Sequence, residues 1–247
     1  MSTAPTTVTD LLDRLTATGG RPALTWYGDD GERIELSGAV LGNWVAKTVN
    51  LLVEEFDAGP GTAVVVDLPV GWRQTVWSLA AARCGATVTL EEPGGPEAPD
   101  ERDTADVVVT SRPETWSGTT AELVAVALPA LARRFDGDLP ADAIDAAAAV
   151  MTYGDAIGLD PVAGRAPSLT VLPVVPAGDA GTSAGAPGGG RTLVRGDRDV
   201  ATVLGETLDV WTRGGSVVLT SAATARELAA DPARLERLAA TEQITRP

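Results

Sequence analysis

The sequence contains no histidine and a single cysteine, Cys84, among its 247 residues. Catalytic Ser-His-Asp and Cys-His groups, imidazole metal ligands and histidine pH switches are therefore excluded. A single thiol cannot form a disulfide within the chain, and it cannot supply the several thiolates of a structural zinc site. Because Cys84 falls near the end of an apolar helical pattern, we expect it to be buried and unreactive.

Lysine is nearly absent as well, since Lys47 is the only lysine among the 19 basic residues. It falls on the flank of a predicted amphipathic helix, where its stem is expected to lie on apolar surface with the ammonium group solvated. The 34 acidic side chains give a formal net charge of −15. Because this charge repels phosphate backbones and anionic lipid surfaces, the sequence predicts neither a nucleic-acid partner nor a membrane partner.

Long hydrophobic runs are also missing. The run Val124–Ala132 is short and broken by Pro129, so no transmembrane segment is predicted. The first residues, Met1–Thr9, have no basic region of the kind that begins a signal peptide. We therefore expect a soluble, cytoplasmic protein. A chain of this length buries roughly 70 to 75% of its unfolded surface, so it needs no metal or disulfide to fold.

The most informative stretch is Leu36–Leu90, which predicts a helix, a strand, a second helix and a second strand. Ser37 is a predicted N-cap, and the apolar residues after it recur at helical spacing. The first helix is predicted to end at Ala58-Gly59-Pro60-Gly61. Ala63–Leu68 is too uniformly apolar to have a solvent-exposed face, as in a parallel strand covered on both faces. A helix over Trp72–Cys84, Gly85 as its terminating residue and a strand over Ala86–Leu90 complete the unit.

The rest of the chain continues the alternation of strands and helices. The predicted strands are Asp106–Thr110, Glu122–Val126, Leu169–Val175, Thr192–Arg195 and Ser216–Leu219. The predicted helices are Asp142–Tyr153, capped by Asp142, then Asp199–Trp211, capped by Asp199, and Asp231–Thr241. This order predicts an α/β fold with three α/β/α layers and a mainly parallel sheet. We predict a first lobe over residues 1–167 and a smaller segment over 168–247, or one single domain.

Several short motifs carry a resemblance to a known family. They are Gly59-Pro60-Gly61-Thr62, Ala63-Val64-Val65-Val66, Leu68-Pro69 and Cys84-Gly85-Ala86, and later Gly214-Gly215-Ser216-Val217-Val218-Leu219, Asp231-Pro232 and Ile244-Thr245. Their order and spacing resemble the adenylate-forming superfamily, the AMP-binding and acyl-CoA synthetase-like enzymes. The resemblance implies the fold of the N-terminal part of the large domain of those enzymes.

The same resemblance implies ATP-dependent activation of a carboxylate, but the motifs for that chemistry are not in the sequence. A phosphate loop ending in Pro-Lys, a Tyr-Gly-x-Thr-Glu run, a ribose-binding aspartate and a catalytic lysine are all missing. Loss of one electrostatic contact to a transition state typically costs about 10²- to 10³-fold in rate. The sequence therefore favours a non-catalytic, truncated relative with no catalytic residue and no cofactor, since no motif supports ATP or AMP binding.

Three functions remain open at this stage. The first is a ligand-binding or protein-interaction module, and the second is a residual ligase-class enzyme that activates an acyl or carboxylate substrate. The third is half of a complex that a partner chain completes. A homo-oligomer or a partner protein is expected.

Two groups of residues are candidates for ligand binding, and no metal ligands are predicted. Trp72 and Arg73 follow the Val-rich strand, where ligands of open α/β sheets bind. In a ligand site, Trp72 would offer a stacking face and Arg73 would pair with an anion. The alternative is that Trp72 belongs to the helix core and Arg73 to the solvated surface. The second group lies in the glycine-rich stretch 177–190, which reads as a flexible loop or as a degenerate phosphate loop. Its candidate residues are Gly181, Thr182, Ser183 and Gly185.

Overall fold

The computed structural model describes residues 4–92, 104–174 and 189–245. Its strands are β1 (Pro22–Tyr27), β2 (Arg33–Ser37), β3 (Ala63–Asp67), β4 (Thr87–Leu90), β5 (Val107–Thr110), β6 (Glu122–Ala125), β7 (Ile144–Asp145), β8 (Arg191–Val194) and β9 (Ser216–Thr220). Its α-helices are α1 (Val8–Ala17), α2 (Gly38–Phe56), α3 (Trp72–Cys84), α4 (Ala146–Ala149), α5 (Val200–Thr212), α6 (Ala222–Ala230) and α7 (Pro232–Thr241).

The first sheet has the strand order β2-β1-β9-β8. Strands β1 and β2 form an antiparallel pair, in which Trp26 lies opposite Ile34. Strand β9 runs parallel to β1 on one side and to β8 on the other. The segment from residue 168 onward thus supplies two strands to a sheet that the first lobe begins, while the predicted division at residues 167 and 168 stays a prediction.

The second sheet has the order β4-β3-β5-β6-β7, and all its strands are parallel. The chain leaves β3 toward β4 on one side and later returns to β5 on the other side of β3. The order of the strands therefore reverses next to β3, and open α/β sheets bind their ligands at such a switch point. The α/β class and the mainly parallel sheet predicted from the sequence are confirmed.

Helix α3 lies at the centre of the molecule, because it packs on β3 and β4 and is covered by α1 and α2. All 13 of its residues are buried. Its predicted bounds are confirmed, and Gly85 ends it with a φ of +83°, a value that glycine adopts without strain. The predicted N-cap of α2 is also confirmed, since the Ser37 hydroxyl accepts a hydrogen bond from the Val40 amide at 3.2 Å.

Three sequence predictions about secondary structure are wrong. Helix α2 ends at Phe56 with Asp57 in the left-handed region, at φ +51°, so no glycine is used there. The helix predicted over Asp142–Tyr153 is reduced to α4 and a short 3₁₀ turn, because Ile144 pairs with Val124 in the sheet and the cap moves to Asp145. Residues Leu169–Val171 form a 3₁₀ turn where a strand was predicted.

Other predictions hold in the C-terminal segment. Asp199 caps α5, as predicted, by accepting from the Thr202 amide at 2.7 Å. The helix predicted over Asp231–Thr241 is α7, and Asp231 caps it by accepting from the Arg234 amide at 3.0 Å. Helix α6 was not predicted, because its alanine-rich sequence has few large apolar residues to form a stripe. Within the described residues, no helix combines the length and the apolar character needed to cross a bilayer.

Candidate functional site

A cleft of about 920 Å³ opens between the two sheets. It is lined by the segments that follow β1, β3, β8 and β9, together with Glu92, Leu128 and Pro129. Because β1, β8 and β9 belong to the first sheet and β3 to the second, the carboxyl ends of strands from both sheets meet at this cleft. This is the part of an open α/β structure where loop side chains and helix N-termini can reach a ligand.

Both candidate residues on α3, Trp72 and Arg73, line the cleft, and both are buried. The Arg73 guanidinium lies 4.3 Å from the centre of the Trp72 ring and 5.9 Å from that of Trp44, so its charge faces two aromatic systems. The alternative of a solvated Arg73 is wrong. Burial lowers the pKa of Arg73 to about 10, so it remains charged near neutral pH.

The guanidinium of Arg73 already has partners within the chain. Its Nε donates to the carbonyl of Leu128 at 3.2 Å, and its Nη2 donates to those of Pro129 at 2.9 Å and Ala130 at 3.3 Å. A ligand anion would compete with these carbonyls for the same donors. Ligand binding by Trp72 and Arg73 stays a prediction. The other candidates, Gly181, Thr182, Ser183 and Gly185, lie outside the described residues.

The sequence analysis missed Glu32 and the pair formed by Asp29 and Ser221. Glu32 Oε2 accepts from the indole nitrogen of Trp26 at 2.9 Å, and its Oε1 accepts from the Ala130 amide at 2.9 Å. The Ser221 hydroxyl donates to Asp29 Oδ1 at 2.5 Å. Ser221 directly follows the buried strand β9, so the rule that singled out Trp72 would also have identified Ser221. Nothing in the local sequence marks Glu32, because its partner Ala130 is 98 residues away in the chain.

Most charged groups of the cleft are bound within the chain. Asp197 forms an ion pair with Arg195 at 2.7 Å, and hydrogen bonds from Arg195 lower the pKa of Asp197. The Glu92 carboxylate accepts from the Val200 amide at the start of α5. Arg226 is exposed, and within the described chain it has no hydrogen-bonded or ion-paired partner. No cluster of three or more carboxylate or thiol groups among the described residues is placed to hold a metal ion.

Lys47 and Cys84 both lie away from the cleft lining. The Lys47 ammonium donates to the carbonyl of Tyr153 and forms an ion pair with Asp155 at 2.9 Å. Its side chain is 16% exposed, in keeping with the expected covered stem, and its ammonium group is held by these two partners. Cys84 is fully buried, as expected from the sequence, and burial raises the pKa of its thiol to about 12.

Comparison with known proteins places the chain in a family. No family model matches the sequence. The chain is 34% identical over 256 residues to a protein of Mycobacterium tuberculosis described as a TIGR03089 family protein, and the match covers 99% of each chain. The chain belongs to the TIGR03089 family.

Solved structures similar to this TIGR03089 family protein include two synthetases. An acyl-CoA synthetase from Brucella canis matches with a TM-score of 0.62 and 20% identity, over 88% of this chain and 43% of that one. Acetoacetyl-CoA synthetase from Streptomyces lividans matches with a TM-score of 0.62 and 15% identity, over 87% of this chain and 38% of that one. The resemblance to the adenylate-forming superfamily is confirmed for the fold, and the chain spans less than half the length of either synthetase.

Proposed function

We propose that this TIGR03089 family protein binds a small organic ligand in the cleft between its two sheets and does not activate carboxylic acids with ATP. The observation that carries the proposal is the cleft itself, which combines about 920 Å³ of space with aromatic and hydrogen-bonding side chains. Trp26 and Trp72 supply apolar surface, while Asp29 and Ser221 supply polar groups. Sites for small molecules have this mixture of an apolar lining and a few fixed polar groups.

The proposal that the protein does not activate carboxylic acids rests on where its only lysine lies. The only lysine of the chain, Lys47, is bound to Tyr153 and Asp155 and does not line the cleft. A cation that stabilises a phosphoryl or adenylate transition state must lie where the charge develops. Two of the three arginines at the cleft also have other partners, since Arg73 binds backbone carbonyls and Arg198 pairs with Glu206, which leaves Arg226 as the one lining arginine without a partner in the described chain. These contacts favour binding over acid activation.

Ligand binding can be tested by thermal unfolding with ATP, AMP, CoA and a non-hydrolysable acyl-AMP analogue. A ligand at 100 times its Kd stabilises the native state by about 2.7 kcal/mol, which raises Tm by several degrees. Ala223→Trp places a large side chain in the cleft lining at the exposed first turn of α6, and Ala229→Trp adds the same side chain to an exposed position of α6 outside the cleft. We expect a Tm increase in wild type and Ala229→Trp but none in Ala223→Trp.

Equal Tm shifts in both tryptophan variants would place the ligand outside the cleft and contradict the proposal. Failure of every compound to shift Tm would limit the cleft to ligands other than nucleotides and CoA esters. A wider screen with aromatic and aliphatic acids would then follow, read out by the quenching of tryptophan fluorescence.

A residual ligase is the second candidate, because both solved structures named above are synthetases that share this fold. The two functions differ in ATP–pyrophosphate exchange. We expect no exchange above the no-enzyme control with acetate, acetoacetate or longer fatty acids. Exchange that is retained in Ala229→Trp and lost in Ala223→Trp would instead establish the ligase.

A further inference from the structure

One wall of the cleft is held by hydrogen bonds from two side chains on different elements. This wall segment, Leu128–Ala130, follows β6 of the second sheet. All three of its carbonyls accept hydrogen bonds from Arg73 on α3, at 3.2, 2.9 and 3.3 Å. Its last amide, that of Ala130, donates to Glu32 at 2.9 Å, and Glu32 belongs to the connection between β1 and β2 in the first sheet.

The Arg73 side chain cannot easily release these carbonyls. It is 8% exposed and stacked on Trp72, and a buried guanidinium that loses its hydrogen bonds becomes a desolvated, unpaired charge. Hydrogen bonds from a charged donor are also about twice as strong as those between neutral groups. The carbonyls of the wall segment are therefore the groups that make burial of Arg73 tolerable.

The wall segment has few other attachments. It is irregular in structure, Leu128 is 42% exposed, and Leu131 directly after it is 94% exposed, so apolar burial contributes little. The next side-chain contact to this loop comes at the Phe135 amide, which donates to Asp145 at 2.8 Å. The position of the wall therefore depends on Arg73 and Glu32.

We propose that Arg73 is a positioning residue of the cleft, which together with Glu32 fixes the wall segment and so sets the width open to a ligand. The inference rests on the proposed function of the cleft as a ligand site. A ligand then contacts Leu128 and Pro129, while the guanidinium, which also lines the cleft, is occupied by their carbonyls. The cleft accordingly selects ligands by their thickness rather than by a charge that pairs with Arg73.

The test measures the wall directly and needs no ligand. Nitroxide spin labels are attached to Leu131→Cys, just beyond the wall segment, and to Ala223→Cys on the α6 side of the cleft. The buried Cys84 stays unlabelled in the native protein. Double electron–electron resonance then gives the distribution of distances between the two labels in the full chain.

Four further changes are compared in this doubly labelled protein. Arg73→Met removes the three hydrogen bonds, and Arg73→Lys keeps the charge and some donors. Glu32→Ala removes the hydrogen bond to the Ala130 amide. Because Glu32 is only half-buried, this variant still tests the proposal if Arg73→Met does not fold. Arg83→Met is the matched control, because Arg83 lies on the same helix with 7% exposure but binds Asp160.

We expect a narrow distribution in the wild-type background and in Arg83→Met. The width should at least double in Arg73→Met and in Glu32→Ala, and Arg73→Lys should lie between. Equal broadening in Arg83→Met would show general loosening of α3, and an unchanged width in Arg73→Met and Glu32→Ala would show a wall held by other contacts. Either result overturns the proposal, whereas a failed ligand screen would bear only on the proposed function.

Discussion

The side chains of Arg83 and Asp160 meet in a two-pronged ion pair, with Nη1 to Oδ1 and Nη2 to Oδ2 both at 2.9 Å. Arg83 lies near the end of the central helix α3 and is 7% exposed, whereas the Asp160 side chain is 40% exposed. Asp160 Oδ1 also accepts from the Val162 amide at 3.1 Å. The pair thus ties the loop around residue 160 to the buried helix.

Asp160→Asn should destabilise the protein by about 1 to 2 kcal/mol, because it leaves a buried guanidinium with a weaker partner, while solvent at Asp160 reduces the loss. Hydrogen bonds from Arg83 lower the pKa of Asp160 below 3.8 in the folded state. Because the pKa of Asp160 is lower in the folded state, the ion pair contributes its full stability above the pKa of Asp160 in the unfolded chain. That stability is lost as the pH falls through the pKa of Asp160 in the folded protein.

Urea unfolding of wild type and Asp160→Asn near pH 6 and near pH 3 measures both effects. The difference in unfolding free energy between wild type and Asp160→Asn should have its full size near pH 6 and should be smaller near pH 3. An unchanged difference would contradict the assignment. Asp138→Asn, at an exposed aspartate, provides the control and should change stability by less than about 0.5 kcal/mol.

Gly196 lies in the cleft lining directly after β8 and Arg195, where a side chain has no room. A Cβ atom at Gly196 would lie 2.0 Å from the Thr220 carbonyl oxygen at the end of β9. Gly196→Ala should therefore push the two strand ends apart and cost about 1 to 3 kcal/mol. The matched control is Gly20→Ala, since a Cβ atom at Gly20 meets no other atom within 4 Å. Thermal unfolding compares the two, and equal Tm values would refute the predicted clash.

Cys84 should resist alkylation in the native protein. Burial raises the pKa of its thiol to about 12, which leaves roughly one thiolate in 10⁴ at pH 8 even before access is considered. Iodoacetamide labelling followed by mass spectrometry should show modification only in urea. An Ala229→Cys variant supplies an exposed thiol in the same protein and should react fully within the same time. Rapid labelling of native wild type would show that the helix end opens.

The sequence by itself determined the elements whose signals are local. The N-cap at Ser37, the bounds of α3 and its end at Gly85 depend on neighbouring residues and hydrophobic spacing, so they could be predicted. The buried strands β3, β5 and β9 were equally clear, because each contains a run of consecutive apolar residues that needs cover on both faces. From these elements followed the α/β class and its resemblance to the adenylate-forming enzymes.

Only the tertiary structure decided what depends on contacts between distant residues. Pairing of Ile144 with Val124 shortened a helix that local propensity favoured, because the sheet hydrogen bonds replaced those of the helix. The position of Arg73 in the sequence marked it as a residue of the site, yet its bonds to Leu128, Pro129 and Ala130 arise from the folding of a loop 55 to 57 residues away. Because no local pattern encodes such a contact, the shape of the cleft could be known only from the folded chain.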